Sequence, residues 1–90
     1  MMRVVGGALF KGNKILLVKR TKERIFWPGL WEIPGGRVEE GETDEEAILR
    51  EFLEETKIKP RIVKQYFTFG YKYDGKDAVE NDFLLEAGNF

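Results

Sequence analysis

Residues 43–57 limit what this chain can fold into more than any other stretch: they contain no Gly and no Pro and consist mainly of strong helix formers. Thr43 is placed as an N-cap, and Glu46, three residues on, completes a capping box. The pattern predicts a helix. At roughly 100° per residue, Ile48, Leu49, Phe52 and Leu53 fall on one face, while Glu51, Glu54 and Glu55 fall together on the other side. A lone amphipathic helix must bury its apolar face against something, and the rest of the chain reads as strands.

Residues 3–10 are rich in strand formers, Gly12-Asn13 is a turn signal, and residues 15–20 return as the second strand of a hairpin. Residues 21–30, broken by Pro28-Gly29, read as a surface loop. A short strand over 31–33 precedes Pro34-Gly35-Gly36, which predicts a sharp turn, and Arg37-Val38 pairs briefly before Gly41 breaks the backbone again. Beyond the helix, residues 61–73 form a long strand with a bulge or bend at Gly70, Asp74-Gly75 is a strong hairpin turn, and residues 78–87 return. Phe67, Phe69, Tyr71 and Tyr73 alternate on one face of the long strand, which marks core or an interface. No repeat or linker divides the chain, so residues 1–90 are read as one domain.

Composition removes most catalytic chemistry. The chain has no His, no Cys and no Ser. This excludes zinc fingers, thiol nucleophiles and serine triads, and leaves carboxylates or oxygen-bound metal ions to carry any hydrolysis. The net charge of −1 argues against a nucleic-acid polymer or a polybasic membrane contact as partner. No apolar run is long enough to span a bilayer and no leader opens the chain, so a cytoplasmic location is expected. The average hides a division: residues 39–55 hold nine carboxylates and one cation, Arg50, for a local charge of −8, and the remainder sums to +7.

The acidic helix needs a counter-charge. Glu51 and Glu55 are a like-charged i, i+4 pair with Glu54 alongside, an arrangement that repels. Arg50 and solvent are one remedy. Divalent cations are another, since three carboxylates converging from one helix form a hard-oxygen site suited to Mg2+ or Mn2+. A plainly solvated acidic face is the third.

From Gly36 the residues run Gly36, five residues, Glu42, seven residues, Arg50-Glu51-Phe52, one residue, Glu54-Glu55, one residue, Lys57-Ile58. This resembles the Nudix box, G-x5-E-x7-R-E-U-x-E-E-x-G-U with U a bulky apolar residue, and six of its seven fixed letters match. Lys57 replaces the last Gly; the expected cost is roughly 1 kcal/mol in the left-handed region, with the helix running on slightly until Pro60 stops it. The preceding Trp31-Glu32-Ile33-Pro34-Gly35-Gly36 and the flanking strands also resemble the Nudix hydrolase family.

The resemblance implies an α/β fold of the α+β type, with a mixed sheet and one central acidic helix. It also implies that Glu51, Glu54 and Glu55, with the Gly35 carbonyl, hold divalent ions, Mg2+ or Mn2+; that Glu51 also serves as general base; that Arg50 holds the helix carboxylates; and that Glu42 fixes the loop to the helix or joins the metal shell through water. Gly36 lets the backbone approach substrate closely, Arg20 matches a phosphate-contacting position, and Trp27 or Trp31 could stack on a base, with core packing the alternative for Trp31.

The expected reaction is hydrolysis of a phosphoanhydride in a nucleoside diphosphate linked to a group X, most simply a nucleoside triphosphate cleaved to monophosphate and pyrophosphate. A non-catalytic nucleotide- or metal-binding module, a truncated inactive fragment and a structural domain with a solvated acidic helix are the alternatives. The family pattern continues past Ala87 with a further strand, a closing helix and often another acidic residue, so the reading is of a domain short at its C-terminus, whose open sheet would invite a homodimer or an exchanged element.

Overall fold

A computed structural model describes residues 1–19 and 31–88. The elements run β1 (Met2–Lys11), β2 (Lys14–Ile15), β3 (Val18–Lys19), β4 (Trp31–Glu32), β5 (Gly35–Arg37), α1 (Asp44–Thr56), β6 (Arg61–Tyr73) and β7 (Lys76–Glu86). The result is a mixed α+β fold. β1 is the hub: β7 runs parallel to it along one edge, from Met2 opposite Ala78 to Leu9 opposite Leu85. Its other edge is shared, with β5 antiparallel to Val4–Gly6 and β2 antiparallel at Phe10 and Lys11. β6 and β7 form the long antiparallel hairpin, turned at Asp74 and Gly75 with positive φ at both, as a tight two-residue turn between twisted strands requires. β3 and β4 pair separately. The strand expected over 15–20 is therefore two short pieces serving two sheets, since Leu16 still bonds back to Leu9 while Val18 turns to Glu32.

Alternation divides the main sheet into two faces. Val5, Leu9, Phe83 and Leu85 face α1 and form the core with Ala47, Ile48 and Phe52 of the helix. Full burial of Phe52 contributes on the order of 2 to 3 kcal/mol. The helix lies close because β1 presents Gly7 beneath it: a Cβ there would come within 3.1 Å of Ile48 and 3.2 Å of Phe52. The buried stripe is thus Ala47, Ile48 and Phe52, and the expected apolar face is rotated, leaving Leu49 and Leu53 38% and 37% exposed. On the opposite face Val4 and Gly6 of β1, Glu80 and Asp82 of β7, and Phe67, Phe69 and Tyr71 of β6 share one surface by register. The aromatic ladder therefore lies outside the core, with Phe67 and Phe69 exposed.

The bulge expected at Gly70 is absent, and Gly70 pairs regularly with Val79. The register shifts fall instead between Ile62 and Lys64 and between Gln65 and Phe67, so Val63 and Tyr66 are the extra residues. Each shift exchanges the faces. The second turns Phe67 onto the surface away from the helix, while Gln65 and Thr68 stay on the helix side and donate to Asn81 Oδ1 at 3.1 and 2.6 Å.

α1 begins where the capping box requires: Thr43 Oγ1 accepts from the Glu46 N–H at 3.1 Å and the Glu46 carboxylate accepts from the Thr43 N–H at 2.9 Å. The other end corrects the sequence reading. The helix does not run on, because Lys57 itself takes the left-handed conformation, φ 64° and ψ 12°, and its N–H bonds to the Leu53 carbonyl at 2.9 Å. This bond satisfies a carbonyl otherwise orphaned at the helix end, which offsets the strain of a Cβ at positive φ. Lys57→Gly is therefore expected to stabilise the fold by about 1 kcal/mol, seen as a higher urea midpoint at unchanged slope. A midpoint that stays put or falls would show that Lys57 carries no strain.

Candidate active site

The site is built where α1 crosses β5. Gly35 pairs with Gly6 and Gly36 with Val5, and Gly7 donates to the Pro34 carbonyl at 2.9 Å, so these residues form a strand on the edge of β1. The chain bends at Pro34, as expected, but Gly35 and Gly36 themselves continue as strand and neither has positive φ. Space is what requires glycine here. A Cβ on Gly35 would lie 2.1 Å from the Val5 carbonyl oxygen, and a Cβ on Gly36 would lie 2.5 Å from the Glu51 carboxyl carbon and 2.6 Å from both its oxygens.

The Glu51 carboxylate thus rests directly on the Gly36 backbone. Glu55, one turn later, accepts from the Gly35 N–H at 2.9 Å. Both acids reach toward the strand from the side of α1 that carries Ala47, Ile48 and Phe52; Glu55 does so from an exposed position, and Glu54 has its side chain 59% exposed. The grouping of all three opposite the apolar face fails for the same reason that Leu49 and Leu53 are exposed: the helix is rolled so that its glutamates reach β5. Among the described residues, no group of three or more acidic side chains is arranged to hold a metal ion.

Arg50 organises the acids. Its Nε donates to Glu42 Oε2 at 2.6 Å, one terminal nitrogen donates to Glu51 Oε1 at 2.9 Å, and the other donates to Glu42 Oε1 and the Arg37 carbonyl, both at 3.0 Å. Glu54 and Glu39 lie farther off, at 3.5 and 3.6 Å. Planar guanidinium geometry suits this bidentate grip on one carboxylate with a further bond to a second. Glu42 also accepts from the Glu39 N–H at 2.9 Å, so the loop before the helix is tied down at both ends. The Arg50 hydrogen bonds, then the Glu39 N–H, lower the Glu42 pKa to about 2. Reciprocally, the bond to Glu42 pushes Arg50 above its ordinary value, and it stays charged throughout.

A second network anchors the start of the helix. Arg3 donates to Asp44 Oδ1 at 2.5 Å through a terminal nitrogen, and Asn81 Nδ2 donates to Asp44 Oδ2 at 2.6 Å, joining β1, α1 and β7.

Of the residues singled out in the sequence, Gly35, Gly36, Glu42, Arg50, Glu51 and Glu55 meet here, with Glu54 at the rim. Arg20 and Trp27 lie outside the described residues. Trp31 is 64% exposed in β4, which rules out core packing for it. The sequence reading missed Glu39 and the Arg37 carbonyl; a backbone acceptor carries no side-chain signal.

A mixed sheet crossed by a capped acidic helix whose carboxylates rest on a glycine strand defines a class, and comparison supplies its family. The NUDIX domain family matches residues 1–85, and the chain belongs to that family. An ADP-ribose pyrophosphatase of Methanocaldococcus jannaschii is 52% identical over 58 residues, 64% of this chain and 33% of that protein. A CTP pyrophosphohydrolase of Escherichia coli is 37% identical over 62 residues, 69% of this chain and 45% of that protein. The crystal structure of a MutT NUDIX hydrolase from Burkholderia pseudomallei superposes with a TM-score of 0.84 at 30% identity, over 96% of this chain and 67% of that one. The chain spans about a third to a half of the length of these two curated relatives.

Proposed function

We propose that this protein hydrolyses a phosphoanhydride bond in a nucleoside diphosphate linked to a group X, most simply a nucleoside triphosphate to monophosphate and pyrophosphate. The observation that carries the reading is the contact of Glu51 and Glu55 with the Gly36 and Gly35 backbone, with Glu51 held by Arg50. Relatives named for ADP-ribose and CTP share the nucleoside diphosphate, and that unit is what the site would take.

The chemistry of the donors suits a divalent cation, since Glu51, Glu54, Glu55 and the Gly35 carbonyl are all hard oxygen ligands of the kind Mg2+ or Mn2+ takes, although among the described residues the three side chains are not gathered into a ready-made site. The Gly35 N–H faces Glu55, and in a strand the C=O of the same residue lies on the same edge, toward α1. When bound, such an ion neutralises phosphate charge and lowers the pKa of water. The protein's own groups do the rest. The Gly36 backbone leaves room for phosphate oxygens at the helix, Arg50 holds Glu51 oriented to accept a proton from the attacking water, and Glu42 holds Arg50. Glu51 and Glu55 reach the strand while Glu54 stands clear of it. That separation favours, as a second reading, a module that binds nucleotide without turnover.

One assay decides between them. Pyrophosphate release from a panel of nucleotides should require Mg2+ or Mn2+ and fall at least about 100-fold in Glu54→Gln. Saturable nucleotide binding with no release would establish the second reading, and release unchanged by Glu54→Gln would remove Glu54 from the site.

A further inference from the structure

Between β5 and α1 the loop of residues 38–43 carries Glu42 to the Arg50 guanidinium. Val38, at its start, packs against the core, but beyond it packing gives little hold. Glu39, Glu40 and Gly41 are exposed, and Gly41 turns the chain with φ 83° where a Cβ would meet nothing within 4 Å. The stretch 39–46 also carries Glu39, Glu40, Glu42, Asp44, Glu45 and Glu46, like charges that repel one another. A segment of this kind takes its position from hydrogen bonds.

Two arginines tie it to its surroundings, and they divide the task. Arg50, from the helix, holds the Glu42 side chain. Arg3, from β1, holds the main chain at both ends of the loop. Its carbonyl accepts from the Val38 N–H at 2.9 Å, and a terminal nitrogen donates to the Glu42 carbonyl at 3.4 Å. The same nitrogen and Nε donate to Asp44 Oδ1 at 2.5 and 3.1 Å. Asp44 is braced in turn: its Oδ2 accepts from Asn81 Nδ2 at 2.6 Å, and Asn81 Oδ1 accepts from Gln65 and Thr68 of β6.

The division matters because Glu42 grips Arg50 through both oxygens, at 2.6 and 3.0 Å. A fork of two bonds demands one backbone position, and a drift of about 1 Å at Glu42 breaks one of them. Arg50 then loses its fixed point, and Glu51, bonded to it at 2.9 Å, loses its direction. We propose that Arg3, which lies outside the box, is a positioning residue: it fixes the main chain at Glu42 so that Arg50 can hold Glu51 to accept a proton. It acts through Glu42 and not on substrate. The catalytic consequence rests on the hydrolytic reading above, whereas the link from Arg3 to Arg50 does not. Position and stability separate here. The Arg3 side chain is 46% exposed, and a half-exposed ion pair adds little to global stability, so its removal loosens the loop while the protein stays folded.

Hydrogen exchange followed by NMR reads the two effects separately. The Arg50 Nε–H, bonded to Glu42, reports the clasp, and the Phe52 N–H, within α1, reports the helix. In Arg3→Met the Arg50 Nε–H is expected to exchange about 10-fold or more faster while the Phe52 N–H stays within about 3-fold. In parallel, kcat for pyrophosphate release should fall about 10-fold at unchanged KM. Arg3→Lys keeps the charge without the paired donors and should fall between the wild-type protein and Arg3→Met; it carries the test if Arg3→Met does not fold. An unchanged Arg50 Nε–H in a folded variant overturns the proposal. So does acceleration of both protons by one factor, which marks a general loss of stability. Faster Arg50 exchange with undiminished kcat would leave Arg3 a loop anchor and overturn its part in positioning Glu51. Faster Arg50 exchange in a protein that hydrolyses no nucleotide would keep the link and remove the proposed activity; hydrolysis with exchange and kcat both unchanged would do the reverse.

Discussion

Gly36→Ala is expected to lower kcat/KM by at least about 100-fold while shifting the melting temperature by no more than a few degrees. The added methyl would arrive 2.5 to 2.6 Å from all three atoms of the Glu51 carboxylate, so one of the two must move. What moves is the end of a flexible side chain, which rotates away at little structural cost. The carboxylate then leaves the strand and loses its bond with Arg50. Gly35→Ala is the contrast. There the methyl meets the Val5 carbonyl oxygen at 2.1 Å and Gly6 Cα at 2.9 Å, both main chain inside the β1–β5 ladder, so the strand must separate. That variant should lose several kcal/mol of stability, about 3 or more. Steady-state kinetics beside thermal melts of both proteins separate the effects. Full activity in Gly36→Ala would mean that the Glu51 position seen here is not the one used.

Arg50→Met is expected to remove activity and about 2 kcal/mol of stability, because it leaves Glu42, with its side chain 16% exposed, and Glu51, 17% exposed, facing each other without a counter-charge. Arg50→Lys keeps the charge but not the fork, and should recover part of the stability and little of the activity. The same clasp governs acid behaviour. The Glu42 pKa is about 2 in the folded protein against an ordinary 4.5, so its bond to Arg50 contributes fully above about pH 4.5 and is lost as pH falls from there through about 2. Stability measured by urea at a series of pH values should decline over that window in the wild-type protein, and Glu42→Gln should show a shallower decline. An identical slope in the two would place the acid sensitivity elsewhere.

Local features were legible because they are written in local chemistry. The capping box at Thr43 and Glu46, the Asp74-Gly75 turn and the long strand before it are dictated by residues a few positions apart, and each forms as read. The spacing of Glu42, Arg50, Glu51, Glu54 and Glu55 likewise identified the acids that gather at the helix. The roll of that helix was not legible. Periodicity fixes which residues share a face but not which face is turned to the sheet, and here Gly7 and Gly36 let α1 settle with Glu51 against the strand, Glu55 reaching the strand edge, and Leu49 and Leu53 out. Gly70 was read as a bulge because glycine permits one, yet the shifts occur at Val63 and Tyr66, where pairing with β7 decides the register.

By itself the sequence determined the inventory: a chain without His, Cys or Ser, whose reactive equipment is a run of carboxylates around one arginine, and whose box spacing marks its family. Only the tertiary structure decided how that inventory is used. It set Glu51 on the Gly36 backbone, closed Arg50 on Glu42 and left Asp82 Oδ1 buried without a hydrogen-bond partner beside Gly6. Those contacts join residues that lie far apart along the chain, where the permitted approach depends on the absence of a Cβ on a neighbouring strand. Such steric permission appears only once the strands are paired.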